Sequence, residues 1–355
     1  MFEGKRILVT GGTGSFGHQV AKDLIKHKPE AIVVFSRDED KQNRMRYDLG
    51  KHVGMFQFII GDVRDAQSVQ KAMRGIDIVF HAAALKQVPS AEYNVMEAVK
   101  TNVLGAQNVF DAAIRENVEK VVAISTDKAV EPVNAMGISK AMQERLATTA
   151  NLARGDAKTV FVNIRYGNVI GSRGSVVPLF RQQLRDGKDL TITDRAMTRF
   201  ILTLPESTQL IFHAAKHGIG GETFVKKMPG HTVMELAEVL KERFGTSKTK
   251  IVVVGIRPGE KLHETLVSPA ESLRTVDAGD YYVILPQVTI PETEKYYSKL
   301  KRMEELGRFA SDNAPRLKPS GIADVIKRAG WFDDEPPVYN FDQLEINVPT
   351  ETTKP

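Results

Sequence analysis

Two short stretches hold the residue types from which redox and proton-transfer chemistry is built. Gly11-Gly12-Thr13-Gly14-Ser15-Phe16-Gly17 has the spacing GxxGxxG. It sits between the β-branched run Arg6-Ile7-Leu8-Val9-Thr10 and a segment of helical periodicity from about Gly17 to Lys28. A strand that ends in a glycine turn and feeds a helix lets a pyrophosphate approach free N–H groups at the positive end of the helix dipole. In that context Gly11, Thr13, Gly14, Ser15, Phe16 and Gly17 form a dinucleotide-binding turn. The second stretch, Ser125-Thr126-Asp127-Lys128, follows the apolar run Val121-Val122-Ala123-Ile124. It lies at the C-terminal end of a strand, where open α/β sheets bind ligands. Met136 and Lys140 are four apart and share a helix face. Asp127 and Lys128 are candidates for moving protons, whereas the thioether of Met136 exchanges none at neutral pH.

The end of the second strand, Ala31–Ser36, selects the cofactor. A carboxylate there would accept hydrogen bonds from a ribose 2′-hydroxyl and favour NAD. This chain has Ser36-Arg37-Asp38, with Lys41 one helical step on. A hydroxyl and cations suit a 2′-phosphate, so the expected cofactor is NADP. Asp62 and Val63 follow the third strand and would flank the adenine, Asp62 alternatively serving as a helix N-cap. Ala82, Ala83 and Ala84 follow His81 and leave room for ribose and diphosphate over the sheet. Asn102 lies in an apolar helical stretch and needs partners, which bridging strands behind the cofactor would supply.

The elements around these residues alternate between two periods. Strands are expected at 6–10, 31–36, 56–60, 76–81, 121–125 and 159–165. Helical segments are expected near 66–73, from about 97 to 116, and from Lys140 to about Arg154. Continuous apolar strands separated by helices imply a Rossmann-like, doubly wound parallel sheet, an α/β fold with a smaller α+β part. The expected division is a cofactor domain over 1–165, rejoined by about 198–225, and a substrate-binding domain over 166–197 and 226–334. A helix near Val233–Phe244 and a strand at Lys250–Val254 fall in the latter. Residues 335–355, rich in proline, read as an extended tail.

The composition narrows the function classes. Among 355 residues, 49 Lys and Arg oppose 44 Asp and Glu, and 42% are apolar, as in ordinary globular chains. With no cysteine there is no disulfide scaffold, cysteine-ligated metal or thiol catalysis. Asp and His do not cluster at ligand spacing, so no metal is expected. The dispersed charge lacks a basic run with interleaved aromatics, which argues against a nucleic-acid partner. No stretch is long and apolar enough to span a bilayer or to serve as a signal peptide, so a cytoplasmic protein is expected.

Taken together, TGGTGSFG, HAAALKQVP, STDKAVEPVNAMGISK and RYGNVIGSRGSVVPLF resemble the extended short-chain dehydrogenase/reductase family. Within it, residues 3–285 are similar to the inverting, 5-epimerising UDP-N-acetylglucosamine 4,6-dehydratases. The capsule-type branch resembles them best, because it carries Met-x-x-x-Lys where most of the family carries Tyr-x-x-x-Lys. The resemblance implies that Lys140 binds the nicotinamide ribose, that Lys128 is the base at sugar C5 and that Asp127 helps protonate the departing 6-hydroxyl. A lysine base requires a depressed pKa, which burial beside cations would supply. The acceptor of the 4-hydroxyl proton stays open among Thr126 with a water, Asp127 and Lys128.

The resemblance also implies a UDP-hexosamine pocket. Asn168 would donate to a diphosphate oxygen. Ser175, Val176, Val177 and Pro178 would face the uracil, with Thr191 and Thr193 edging it. Arg199 and Arg257 would meet phosphate, Glu260 the uridine ribose, and Lys86 the sugar. His263 reads as structural. A homo-oligomer is expected, hexamers being common in this branch. Two other readings fit the same fold: a nucleotide-sugar 4-epimerase or reductase, which Met136 and Lys128 oppose, and a non-enzymatic NADP-binding sensor, which Met136 favours.

Overall fold

The computed structural model describes residues 1–172 and 174–333. The expected tail over 335–355, and Arg173 within RYGNVIGSRGSVVPLF, lie outside the described residues.

The molecule is organised by one nine-stranded sheet. Strands β1 (Arg6–Thr10), β2 (Ala31–Ser36), β3 (Phe56–Ile60), β4 (Ile78–His81), β5 (Lys120–Ile124) and β6 (Val160–Arg165) run parallel in the order β3-β2-β1-β4-β5-β6. Thr223–Lys226 continues the parallel series beside β6, and the antiparallel pair Tyr281–Ile284 and Thr275–Ala278 closes that edge. The fold is therefore α/β and doubly wound, with the reversal of strand order between β1 and β4. The two strands at 275–284 join this sheet, although the sequence placed them in the substrate-binding part.

The strand sequences explain the layering. Every residue of β2 is buried, because helices cover both faces. Ile7, Val9, Ile32, Val34 and Phe80 pack on one side of the sheet, and Leu8, Val33, Phe35, Val79 and Phe110 on the other. Each of these side chains contributes roughly 1.5–3 kcal/mol on leaving water. Helix α1 (Ser15–Leu24) buries Val20, Ala21 and Leu24, the face the sequence marks. It passes into a 3₁₀ turn at Ile25–His27 before the next strand. Helix α2 (Glu39–Leu49) was not legible in the sequence, since it buries only Gln42, Met45 and Leu49.

A smaller lobe packs Ile170, Phe180, Leu190, Ile192, Leu236 and Leu240 with Ile322, Ile326 and Trp331. It holds the helices Val176–Arg185, Val233–Phe244 and Pro319–Arg328, and the paired strands Leu190–Ile192 and Ile251–Val253. A three-stranded sheet of Asn168–Val169, Thr198–Leu202 and Gly230–Thr232 joins it to the main body.

The helix carrying Met136 and Lys140 runs over Ala135–Ala153, starting before Lys140. Asn134 sets that start: its side chain accepts from the Gly137 amide at 2.7 Å. Asn is a preferred N-cap, so the signal was present in the sequence.

Candidate functional site

A cleft of about 520 Å³ runs over the C-terminal ends of β1, β4 and β5. One end is the glycine turn. Gly11 has φ +65°, and a Cβ there would lie 2.8 Å from the Ala83 backbone. A Cβ on Gly17 would lie 2.6 Å from the Gly12 Cα. Glycine is thus required where β1 turns into α1 and where α1 presses back on the turn. Gly14, the N-cap of α1, supplies no side-chain cap, so the helix end presents its backbone. Gly11, Thr13, Gly14, Ser15, Phe16 and Gly17 all line this end, with Ala82, Ala83 and Ala84 opposite. Ser36, Arg37, Asp38, Lys41 and Val63 line its far extremity.

The charges there are paired. Lys41 Nζ donates to Asp38 Oδ2 at 2.6 Å, and Arg37 lies 3.6 Å from Asp62. Asp62 does not cap a helix; Asp65 does, while Asp62 accepts from the Arg64 amide and guanidinium. Asn102 stands behind the wall and does not line the cleft. It ties the backbone of Leu85, at both its amide and its carbonyl, to Ser139 Oγ, so it joins a loop to a helix and bridges no strands.

At the other end, β5 delivers Ser125 and a single 3₁₀ turn, Asp127–Ala129. Thr126 shapes this turn, donating to Asp127 Oδ1 at 2.8 Å and accepting from the Lys128 amide. A Cβ on Gly137 would lie 2.2 Å from the Lys128 carbonyl oxygen, so glycine lets the 135–153 helix press directly on the turn. The cleft is lined here by Thr126, Asp127, Lys128, Met136 and Lys140, with Lys86, Tyr166 and Asn168. The sequence thus identified a group that the fold brings together. Met136 also packs on Ala91 and Ala98, an apolar wall with no proton to give.

The electrostatics of this end differ from the expectation for Lys128. Its amine lies 3.0 Å from Asp127 Oδ1 and 3.0 Å from Glu264 Oε1. Burial opposes the charge and Arg199 adds to that, but the two carboxylates outweigh both and hold the amine above the usual lysine value. A depressed pKa from cationic neighbours is therefore not what this arrangement gives. Burial raises the Asp127 carboxyl, with Lys128 pulling the other way. Burial also pushes Lys140 down to about 7, although Glu144 opposes it. Tyr166 is raised by burial and by Asp127, which keeps its phenol protonated.

A smaller pocket adjoins the cleft at Asn168 and Val169 and is lined by Ser175, Val176, Val177, Arg199 and His231. Arg199 donates to the carbonyls of Thr198 and Leu262. Pro178, Thr191, Thr193, Arg257 and Glu260 line neither pocket. Thr191 accepts from Gln183 and Thr193 bonds the Met197 sulfur, so both serve their own lobe. Arg257 and Glu260 sit on an outer loop and face each other at 3.9 Å. His263 Nδ1 lies 2.8 Å from Thr198 Oγ1. Glu264, Tyr166 and His231 are among the site residues that sequence reasoning missed.

Five buried polar atoms around this region have no hydrogen-bond partner: Ser125 Oγ, Asp127 Oδ2, Asn168 Oδ1, Ser175 Oγ and Glu264 Oε2. Buried polar groups are rarely left so. Orphaned atoms along an open cleft, with a glycine cradle at its far end, fit a bound dinucleotide and a second polar ligand. No cluster of three or more metal-ligating side chains occurs among the described residues. No helix among them is long and apolar enough to cross a membrane.

Residues 7–286 match the sequence family described as polysaccharide biosynthesis protein. The chain belongs to that family. Among curated relatives of this chain are proteins from Rickettsia canadensis and Rickettsia typhi named UDP-glucose 4-epimerase. They are 46% and 45% identical over 340 residues, covering 94% of this chain and 99% of theirs. Among solved structures, Pen from Bacillus thuringiensis superposes with a TM-score of 0.85 at 38% identity, over 92% of this chain and 99% of that one. DesIV from Streptomyces venezuelae, a dTDP-glucose 4,6-dehydratase solved with NAD, shares the fold. Its TM-score is 0.68 at 22% identity, over 92% of this chain and 96% of that one.

Proposed function

We propose that this protein is an NADP-dependent UDP-N-acetylglucosamine 4,6-dehydratase that inverts C5, a hydro-lyase producing a 4-keto-6-deoxy sugar nucleotide for a capsule or other surface glycan. The observation that carries this reading is the pairing at the sugar end of the cleft. Position 136 offers a thioether, while Asp127 and Lys128 stand together where a hexose beside the cofactor would lie.

When bound, the nicotinamide would take hydride from sugar C4 and return it at C6. The residues of this chain then divide the remaining work. The glycine turn and the N-terminus of α1 would hold the diphosphate, and Ser36, Arg37 and Lys41 would hold the 2′-phosphate. Lys140, which lines the same cleft, would hold the nicotinamide ribose. Once C4 is a ketone, the C5 proton is acidic. Lys128 takes it, and Asp127, whose raised pKa favours the acid form, gives its proton to the 6-hydroxyl, which leaves as water. At rest Lys128 is a cation between the Asp127 and Glu264 carboxylates, so it first passes its proton across 3.0 Å to Asp127, which becomes the acid just described and leaves the amine free to take the C5 proton. Lys86 contacts the sugar. Asn168 and Arg199 meet the diphosphate, and the pocket of Ser175, Val176 and Val177 takes the uracil.

In this reading the main sheet forms the cofactor domain and the smaller lobe the substrate domain of a cytoplasmic homo-oligomer. A second reading, a UDP-sugar 4-epimerase, is favoured by the names of the Rickettsia relatives. It needs only reversible oxidation at C4 and leaves Asp127 and Lys128 without a second proton to move.

One experiment separates the two. The protein is incubated with NADP⁺ in deuterated water and either UDP-N-acetylglucosamine or UDP-glucose. Loss of the mass of water with deuterium at C5 supports the dehydratase. Unchanged mass with a 4-epimer supports the epimerase and ends the first reading.

A further inference from the structure

Glu264 immediately precedes the strand Thr265–Val267 and is clamped at its backbone. Its amide donates to Ser311 Oγ at 3.0 Å, and its carbonyl accepts from the Ser311 amide at 2.8 Å. Ser311 Oγ is in turn 2.7 Å from Thr198 Oγ1, which meets His263. Two strands and a loop thus fix the position of one carboxylate. The Glu264 side chain is 2% exposed, and its Oε1 lies 3.0 Å from Lys128 Nζ and 3.8 Å from Arg199 Nε. Its second oxygen has no partner. A buried carboxylate held this firmly against a cleft-lining amine dictates where that amine sits.

We propose that Glu264 is a positioning residue: its carboxylate holds the Lys128 amine opposite Asp127 at the sugar end of the cleft and fixes the charge that amine carries before substrate arrives. The proposal rests on the reading that Lys128 acts on the sugar, but its central claim concerns Lys128 alone and is measurable without turnover. The charged and titratable groups that face the amine come from four places. They are Asp127 on its own turn, Glu264, Arg199 on the strand Thr198–Leu202, and Lys261, whose amine donates to the Val130 carbonyl. Tyr166 stands beside Asp127. Of these only Asp127 and Glu264 favour the cation. Removing the Glu264 charge leaves one carboxylate against two cations, so the amine gives up its proton at lower pH and loses one of its two anchors.

The test uses the full chain and the near-isosteric Glu264→Gln. The pH dependence of Lys128 acetylation by acetic anhydride is followed by mass spectrometry of its peptide, with Lys128→Ala confirming the assignment. The variant's midpoint should fall by a pH unit or more, equivalent to about tenfold more labelling at a pH below both midpoints. A merely structural Glu264 leaves the midpoint where it is, and an unchanged midpoint overturns the proposal whatever the activity. Water release should fall about tenfold in kcat with KM for UDP-N-acetylglucosamine moving less than about threefold. If the wild-type protein releases no water, the dehydratase reading fails while the midpoint still decides the role of Glu264. If Glu264→Gln does not unfold cooperatively, Glu264→Asp keeps the charge but draws it back by one methylene. It should lower the midpoint by a smaller amount, and no change there also overturns the proposal.

Discussion

Asn134 Nδ2 donates to the carbonyl of Gly259 at 2.8 Å while its Oδ1 accepts from the amide of Gly137 at 2.7 Å. One side chain thus caps the helix bearing Met136 and Lys140 and ties to it the loop bearing Arg257 and Glu260. Asn134→Ala should cost about 1 kcal/mol for the lost cap and about 1 kcal/mol for the lost tie, read from denaturant unfolding. Asn134→Asp keeps an N-cap acceptor and removes the donor to Gly259. It should recover about half of that loss, the part that belongs to the cap. Equal stability loss in both variants would show that the cap is not the main contribution.

Gly137 makes the same helix and the 127–129 turn inseparable. Any Cβ there must move the Lys128 carbonyl, from which it would stand 2.2 Å. Gly137→Ala is therefore expected to lower kcat by more than about tenfold, because a small misplacement of proton-transfer groups is costly. The alanine is itself a better helix former, so the melting temperature should fall less than the activity suggests. Full activity in this variant would mean that the turn can shift without consequence.

Much of this site is written locally. The glycine turn, Asp127 beside Lys128, and Met136 four residues before Lys140 are each short-range patterns, and the fold gathers them into one cleft. The strands of the parallel sheet were legible because both faces are buried, which leaves an unbroken apolar run. Glu264 was not legible, since nothing in its neighbourhood says that it meets Lys128; that contact exists only after the 265–267 strand pairs with 309–310. The electrostatic expectation for Lys128 failed for the same reason. The strands at 275–284 were missed because four-residue segments carry too little pattern to name their sheet. Arg257 and Glu260 match a motif, yet they stand 3.9 Å from each other and line neither pocket.

Cofactor choice can be read at Arg37, which faces the far end of the cleft 3.6 Å from Asp62. If its guanidinium meets a 2′-phosphate, Arg37→Ala should weaken NADP binding by roughly 10- to 100-fold, the worth of one hydrogen bond between charged groups. NAD, which lacks that phosphate, should bind within about twofold of its affinity for the wild-type protein. Calorimetric titration with both cofactors decides it. Parallel losses for the two would remove Arg37 from any role in discrimination.

Lys128→Ala separates cofactor binding from proton transfer. The lysine lines the end of the cleft away from the glycine turn, so NADP affinity should be unchanged. Water loss from UDP-N-acetylglucosamine should fall by about 10²-fold or more, the typical worth of a general base. The substitution also leaves Asp127 and Glu264 buried without their shared cation, so stability should drop. Double substitution with Glu264→Gln is expected to restore part of that stability and none of the activity. Retained water loss in the single variant would exclude Lys128 as the base.

Lys140 gives the protein a pH signature independent of turnover. Its amine is buried and donates to Gln143 Oε1 at 2.6 Å, and burial brings its pKa from 10.5 to about 7. Between those values the unfolded chain holds a proton that the folded chain does not. Stability therefore rises with pH across that window, and below about 7 the folded state bears the whole cost of the buried cation. Lys140→Met keeps the stem and removes the charge. Its unfolding free energy should be higher than that of the wild-type protein at pH 6, and its slope between pH 7 and 10 shallower by the contribution of about one proton. Parallel curves for the two proteins over that range would mean that Lys140 stays charged in the fold.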